Sequence, residues 1–529
     1  MTFKGTLLPY QPEAVDRMVD RQKMLVAYDL GLGKTVLTIA ALERMMDEGK
    51  ITEPGIIICL SSLKYQWANQ IVKFTDGTSY PLVIDGTPKK RQAQYEQAYD
   101  WGHSLVDYVI LNYEQVVNDW EYVSKLPRGF VVLDEATAIK SFRSKRSKAV
   151  KRLGNAPVKF ALTGTPIENG KPEELYSIMQ FVDNDVLGRF DLFDQTFIVR
   201  NTWGGVERYR NLPTLHERMK TASVRKAQTD ADVAPFLPES IHREPIEIFF
   251  DRKSAKLYER IKNDILIDLD EAQQLFGGSF NILAHYGHEQ QWGGAADELR
   301  GKLMSKIGAL KMLCSHPDLV TDSAIKFHQM SGEGSAYAAE LVDAGLLEGI
   351  TNSPKMDTVI EYVTNHLDLN PDNKVVIFAS YVGMLEKLAD ALGSERCKLY
   401  SGQLDAKTKE ENKVDFNTNP ATRVLISSDA GGYGVDLPAA NLLINYDLPW
   451  SSGGAIQRNG RIKRASSTWP TIVIQDVIMK NSIEQRQHEA LMQKSSIANA
   501  VIDGIGIDDQ GGVPITLTSL NKFLQSSNV

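Results

Sequence analysis

Short runs of Val, Ile and Leu alternate with amphipathic stretches in two separate parts of the chain. In the first part, about residues 23–181, the apolar runs are KMLVAYD, GIIICLSS, DYVILNYE, FVVLDEA and VKFALTGT. Each is apolar throughout rather than alternating, and each ends in polar residues or Gly. This pattern predicts strands buried on both faces, as in a parallel sheet, with functional loops at their C-terminal ends. Between them, TVLTIAALERMM and SSLKYQWANQIVKF read as helices. Strands alternating with helices predict an α/β sheet covered on both faces. The second part, about residues 354–485, repeats the scheme. Its strands are KVVIFASY, CKLYSG, RVLISSD, NLLINYD and TIVIQDVI, and its helices include MLEKLADAL and AKTKEENKVDFN.

The stretch between these parts reads mostly as helix, with KSAKLYERIKNDILIDLDEAQQLF its clearest element. GGSFNILAHYGHEQQWGGAADE and SGEGSAYAAELVDAGLLEGITNSP read as weakly structured. From about residue 504 onward, Gly, Asp and Ser without periodicity predict a loosely attached tail. The expected organisation is a first α/β lobe over 1–181, a helical insertion over 182–351, a second lobe over 352–490 and a C-terminal extension over 491–529.

The length of 529 residues suits three or four units of ~100–200 residues each. With 43% hydrophobic residues the chain is not globally disordered. Cys59, Cys314 and Cys397 form no C-x-x-C pair, so neither a zinc site nor a disulfide framework is implied. MTFKGTLLPYQ lacks the layout of a secretory leader, and no apolar run reaches the ~20 residues of a membrane span. A soluble, cytoplasmic protein is expected. The net charge of −8 weighs against a nucleic-acid partner, because phosphate contacts need Lys and Arg. Local distribution matters more. KSFRSKRSKAVKR carries Lys140, Arg143, Lys145, Arg146, Lys148, Lys151 and Arg152 with no acid among them. Alone it reads as a solvated helix face; its place just after an acidic motif gives it more weight.

Three segments carry chemistry. KMLVAYD runs into LGLGKTVLTIAAL, which puts Gly31, Leu32, Gly33, Lys34 and Thr35 between a strand and a helix. Backbone N–H groups at a helix start cradle phosphates, a Lys neutralises them and a Thr hydroxyl can hold magnesium. The strict G-x-x-x-x-G-K-T pattern fails at Tyr28, where the first Gly belongs. FVVLDEA ends in Asp134 and Glu135, the acids that magnesium and an attacking water require. Acidic capping of a helix is the bland alternative. SGGAIQRNGRIKRASS holds Gln457, Arg458, Arg461 and Arg464. The spacing of three places Arg461 and Arg464 on one helix face, where they could clamp a transferring phosphoryl group.

With these segments in this order, the chain resembles the superfamily-two helicases, specifically the Swi/Snf-type ATPases. The resemblance runs from Leu8 to about Leu491 and rests on LLPYQPEAV, LGLGKT, CLSSLKYQW, VILNYEQ, VVLDEATAIK, LTGTPIENG, MLCSHPDLV, SPKMDTV, VVIFASYVGMLEKL, ISSDAGGYGVDLPAANLLINYDLPW and QRNGRIKR. It implies two RecA-like P-loop lobes, with ATP and Mg2+ used at a site they share. Gln11 would read adenine, and Gly31, Leu32, Gly33, Lys34 and Thr35 would hold phosphates and metal. Asp134 would serve the metal and Glu135 the water. Thr163, Gly164 and Thr165 would couple hydrolysis to movement. Gln457, Arg461 and Arg464, with Asp436 nearby, would complete the ATP site. Nucleic-acid contacts would come from Ser62, Lys64, the Asn112–Tyr113–Glu114 turn, Ser427, Ser428 and the Gly431–Gly432 loop. His316 and Pro317 mark the Swi/Snf type, and His316, without a Cys or His partner, is expected to be structural. Trp67 and Trp450 are expected to be packing residues.

The chain departs from the family pattern in places. Thr137 stands where a His is usual, Asp436 where Asn is more frequent, and Lys463 and Ala465–Ser466 replace the usual end of the last motif. The resemblance implies a compact, monomeric motor of prokaryotic or phage type. Its track would be DNA, duplex being favoured, and its protein recruiter is unspecified. A strand-separating helicase is the second reading, and a scaffold without catalysis the third.

Overall fold

The protein was analysed as a computed structural model, which describes residues 2–99, 105–200, 205–276, 294–330, 333–429, 435–449, 451–464 and 466–503. The chain divides into two compact units. One comprises Met1–Val199, Arg208–Leu237 and Lys494–Gly512; the other comprises Arg200–Glu207, Pro238–Gln493 and Val513–Val529. The stretch 182–351 is therefore divided between the units rather than standing apart.

The first unit is built on seven parallel strands: β1 (Lys23–Tyr28), β2 (Gly55–Cys59), β3 (Tyr80–Val83), β4 (Val106–Asn112), β5 (Phe130–Asp134), β6 (Val158–Leu162) and, after a two-stranded ribbon of β7 (Ile198–Arg200) and β8 (Val206–Tyr209), β9 (Ser223–Lys226). Their order is β3-β4-β2-β5-β6-β1-β9. The strands read from the sequence are β1, β2, β4, β5 and β6. All are central and buried almost end to end, as continuous apolar runs require. β3 and β9 lie at the two edges and lack such a run. β3 contains Pro81, tolerated at an edge because its missing N–H is not needed there, and β9 reads SVRK.

The second unit repeats the parallel scheme. Its strands are β10 (Glu239–His242), β11 (Ile246–Ile248), β12 (Val375–Phe378), β13 (Cys397–Tyr400), β14 (Val424–Ser427), β15 (Leu442–Asn445) and β16 (Thr471–Met479). The order is β10-β16-β15-β12-β14-β13, with β11 also on β16. The predicted middle helix spans Arg252–Phe276 and packs with helices Gly294–Ser315 and Pro317–His328 into the same core as the sheet. The insert 277–293 and the tail beyond Asp503 lie outside the described residues. No described helix is long and apolar enough to cross a membrane.

Candidate functional site

Parallel register gathers the chemistry of the first unit at one sheet edge. Val26 pairs with Leu162, Leu162 with Asp134, Leu133 with Ile58, and Cys59 with Asn112. The C-terminal ends of β1, β6, β5, β2 and β4 thus stand in a row. Every marked segment of this half except the one that carries Gln11 begins at that row.

After β1 the chain turns through Asp29–Gly33 into a helix, α1 (Lys34–Asp47). Gly31 and Gly33 have φ of 80° and 81°, values open to Gly but costly for other residues. A Cβ on Gly33 would also meet the Gln11 amide nitrogen at 2.4 Å. No side chain caps α1, so its first N–H groups point into the loop, as a phosphate cradle needs. Lys34 Nζ donates to Tyr28 O at 2.9 Å and to Asp29 O at 3.3 Å. Gln11 grips one flank of the loop. Its Nε2 donates to Leu32 O at 2.9 Å while its Oε1 accepts from the Leu8 N–H. Thr35 follows, half-buried, one residue into the helix. The segment after β6 lies directly on this loop, since a Cβ on Gly164 would touch Tyr28 O and Leu30 N at 3.4 Å. The Thr165 N–H donates to Thr163 Oγ1 at 3.1 Å, and the buried Thr165 Oγ1 has no hydrogen-bond partner among the described residues.

Asp134 is buried at the end of β5. Burial holds its carboxyl above the usual carboxylate range, against the pull of the Trp67 N–H and the Lys34 charge. Oδ2 accepts from Trp67 Nε1 at 2.7 Å and Oδ1 from the Glu135 N–H at 3.0 Å. Its carbonyl accepts from the Tyr113 hydroxyl at 2.8 Å. Glu135 itself takes a left-handed backbone with φ 49°, which turns the chain sharply off the strand. Trp67 is therefore more than packing: it orients the buried acid. The legible signal was an indole N–H in a buried position, which needs an acceptor. Thr137, in place of the usual His, is buried in the 3-10 turn that follows.

The expected nucleic-acid contacts divide. Ser62 is exposed. Lys64 is not: it is 2% exposed, and its ammonium is held by Ile84 O and Asp85 Oδ1, both at 2.8 Å. A side chain committed to two internal acceptors is not offered to phosphate. Asn112 caps the helix Tyr113–Asn118 in a reciprocal box with Gln115, and Tyr113 is buried against Asp134. The basic run forms the helix Lys145–Lys151, with Arg143, Lys145, Lys148 and Arg152 exposed. Lys151 turns inward onto Ser177 Oγ and Gln180 Oε1, and burial pushes its ammonium down to about 7.

In the second unit, Ser427 and Ser428 end β14 as buried residues; Ser427 Oγ donates to Ser428 O and the Ser428 N–H to Tyr400 O. They serve the turn rather than a surface. Gly431, Gly432 and Trp450 lie outside the described residues. The helix Ser452–Asn459 is capped by Ser451 Oγ and carries Gln457 and Arg458, both buried. It stops at Gly460, a poor helix former, and Leu437 N–H bonds Arg461 O. Arg461 and Arg464 thus lie in the turn after the helix, not on one helix face as their spacing suggested. Arg464 pairs with Asp436 at 2.8 Å. Arg458, given no role from the sequence, makes a two-pronged contact with Asp429 and also donates to Asp447 O. His316 caps helix Pro317–His328 through Nδ1, which accepts the Asp318 N–H at 3.1 Å.

Comparison with known proteins finds two family domains, whose boundary falls later in the chain than that between the two units. The SNF2-related domain matches residues 10–319, and the helicase conserved C-terminal domain matches 354–466. The chain is 26% identical over 514 residues to the putative ATP-dependent helicase/translocase YwqA of Bacillus subtilis, covering 95% of this chain and 49% of that one. It is 26% identical over 521 residues to the DNA repair and recombination protein RAD54-like of Gallus gallus, covering 94% and 68%. The chain thus spans about half to two-thirds of the length of these curated relatives. Among solved structures, the Hef helicase domain of Pyrococcus furiosus shares the fold at a TM-score of 0.51 and 15% identity, over 91% of this chain and 98% of that one. The domain match covers more than half of the 529 residues, and the chain belongs to the SNF2-related family.

Proposed function

We propose that the protein hydrolyses ATP at the loop Asp29–Gly33 and uses the reaction to move along DNA, with duplex the favoured track. One observation carries this reading. An uncapped helix N-terminus, two glycines at positive φ and Lys34 stand at the same sheet edge as the buried Asp134 and the adjacent Glu135. Relatives named as ATP-dependent helicase/translocase and as DNA repair and recombination protein support the same class.

In this reading the α1 N–H groups and Lys34 bind the phosphates, and Glu135 positions and activates water. Gln11 reads the nucleotide base, and residues 163–165, seated on the loop, pass its state onward. Thr35 and Asp134 fit magnesium. Both offer hard oxygen ligands, and a cation there would favour the carboxylate form that burial disfavours. The ion would neutralise charge that develops on the phosphates. Gln457, Arg461 and Arg464 act on the phosphates during turnover, as arginine side chains do in related chemistry. Exposed Ser62 and the cations Arg143, Lys145, Lys148 and Arg152 are the first unit's proposed contacts with the DNA backbone, a mode that tracks phosphates without reading bases.

The test is ATP turnover without nucleic acid, then with duplex DNA, single-stranded DNA and RNA, with Glu135→Gln as control. Stimulation by duplex that the variant abolishes supports the proposal. Stimulation chiefly by single strands or RNA moves the reading to a strand-separating helicase, and no turnover in any condition removes the motor.

A further inference from the structure

The two acids of the first unit are joined by a peptide that is held at both ends. The Glu135 N–H donates to Asp134 Oδ1 at 3.0 Å, and the Asp134 carbonyl accepts the Tyr113 hydroxyl at 2.8 Å. Asp134 lies past the ladder on that side, where the register of β5 with β2 stops at Leu133 and Ile58. Tyr113 follows β4 directly, and β2 stands between β4 and β5, so the ring reaches across the end of β2 to make this bond. The residue is 1% exposed. Burial first, and the neighbouring Asp134 second, push its phenol up, so the hydroxyl is a donor at every working pH.

The conformation held by this clamp is an uncommon one. Glu135 has φ 49° and ψ 57°, a left-handed backbone that is costly for a residue with a Cβ and persists only where the surroundings impose it. It sends the chain off the strand into the turn Ala136–Ile139, where the Ala138 N–H returns to Glu135 O at 2.9 Å. The Glu135 side chain leaves from this position, so its direction depends on the peptide before it. A rotation of that peptide would swing the carbonyl off the Tyr113 hydroxyl and let Glu135 relax toward the ordinary backbone regions.

We propose that Tyr113 is a positioning residue for ATP cleavage: by holding the Asp134 carbonyl it keeps Glu135 in the conformation from which its carboxylate meets the attacking water. The proposal rests on the reading of Glu135 as the group that activates water. It gives Tyr113 a buried task in place of the nucleic-acid contact that its turn suggested. The bland alternative is a phenol that only satisfies its own hydrogen bond.

The test is ATP cleavage by the full chain with duplex DNA, in single turnover and at steady state, beside a titration with fluorescent ADP. Thermal melts fix a temperature at which every variant is folded. Glu135→Gln should lose cleavage; if it cleaves as wild type does, the site reading fails and this inference with it. Tyr113→Phe takes away one oxygen atom and should slow the cleavage step about tenfold, the scale of one hydrogen bond. Its KM for ATP and its affinity for ADP should stay within about twofold of wild type, because the hydroxyl acts on the chemical step. Tyr95 is as deeply buried, and its hydroxyl is spent on Asp119 Oδ2 at 3.1 Å. Tyr95→Phe should cleave ATP within about twofold of wild type, since it loses a buried hydrogen bond without touching the acids. Wild-type cleavage in Tyr113→Phe overturns the proposal while Glu135→Gln still fails. So does a Tyr113→Phe that loses ADP affinity as deeply as cleavage, or a Tyr95→Phe as slow as Tyr113→Phe, since either would mean that the hydroxyl supports the fold and not the acid.

Discussion

The phosphate loop of the first unit and the arginine segment of the second prepare for an anion in opposite ways. The loop uses backbone. Gly31 and Gly33 turn the chain, α1 begins without a side-chain cap, and its first N–H groups are left for a ligand. The arginine segment uses side chains, and the helix before it is closed by Ser451. Two of its cations are matched with acids, Arg458 with Asp429 and Arg464 with Asp436. Backbone donors are fixed by the fold and bind the ground state. Paired side chains must exchange partners to act, which suits a step made only when charge moves.

The sharpest way to break this comparison is to remove each part and ask what is lost. Arg461→Gln should lower turnover by ~10³–10⁵, the range of a phosphoryl-transfer arginine, with ADP affinity changed less than about threefold. Lys34→Ala should lose affinity itself. Turnover assays and an ADP titration on the same preparations separate the two. If Arg461→Gln loses ADP affinity and keeps its turnover at saturation, both regions bind the ground state and the contrast is gone.

A middle-sized effect comes from the indole under the acidic motif. Trp67→Phe removes one of the donors that lower the Asp134 pKa, which burial already raises. The carboxyl should rise further, so the acid limb of the rate–pH profile should move to higher pH. Turnover at neutral pH should fall about tenfold, the scale of a charge-assisted hydrogen bond. An unmoved acid limb would show that Trp67 only fills space.

Such residues mark where the sequence could be read and where it could not. Central strands were legible because burial on both faces demands unbroken apolar runs, as in GIIIC and FVVLD. β3, β9, β10 and β11 were not, because Pro81, Arg225 and His242 sit on short strands that bury little. Motif residues whose role rests on the backbone, Gly31 and Gly33, could be placed from spacing alone. Side chains could not. Lys64 turned inward because Ile84 O and Asp85 lay within reach, and Gly460 unwound the helix on which Arg461 and Arg464 were expected to share a face. Partners distant in sequence, such as Trp67 with Asp134 or Arg225 with Asp29, leave no trace in a local pattern.

A smaller effect sharpens the claim that the arginine segment is held in pairs. Asp436 is 56% exposed, so its contact with Arg464 is screened by water and salt. Asp436→Asn should change turnover by less than about fivefold, with the difference shrinking as salt rises. A loss as deep as that of Arg461→Gln would mean that Asp436 does more than restrain Arg464.

The smallest effect concerns a helix N-terminus that is closed rather than open. In helix Pro317–His328 the Asp318 N–H is taken by His316 Nδ1, so this end is used up where that of α1 is not. The cap requires a neutral ring, and burial pushes the His316 pKa down. A His with a lowered folded pKa favours the neutral form, so its contribution is complete above the ordinary value near 6.5 and drains away as pH falls toward the lowered one. His316→Ala should cost about 1 kcal/mol at pH 8, the usual loss of a cap. That cost should narrow as pH falls below about 6.5, because the unfolded wild-type chain then takes up a proton that the capped ring refuses. His316→Asn, whose amide oxygen caps at any pH, should restore the stability and remove its dependence on acid. Denaturant melts of the three proteins between pH 5 and 8 decide it, within the range of about 5–8 where such groups govern stability. A constant gap between His316→Ala and wild type across that range would mean that the ring acts by packing and not as a cap.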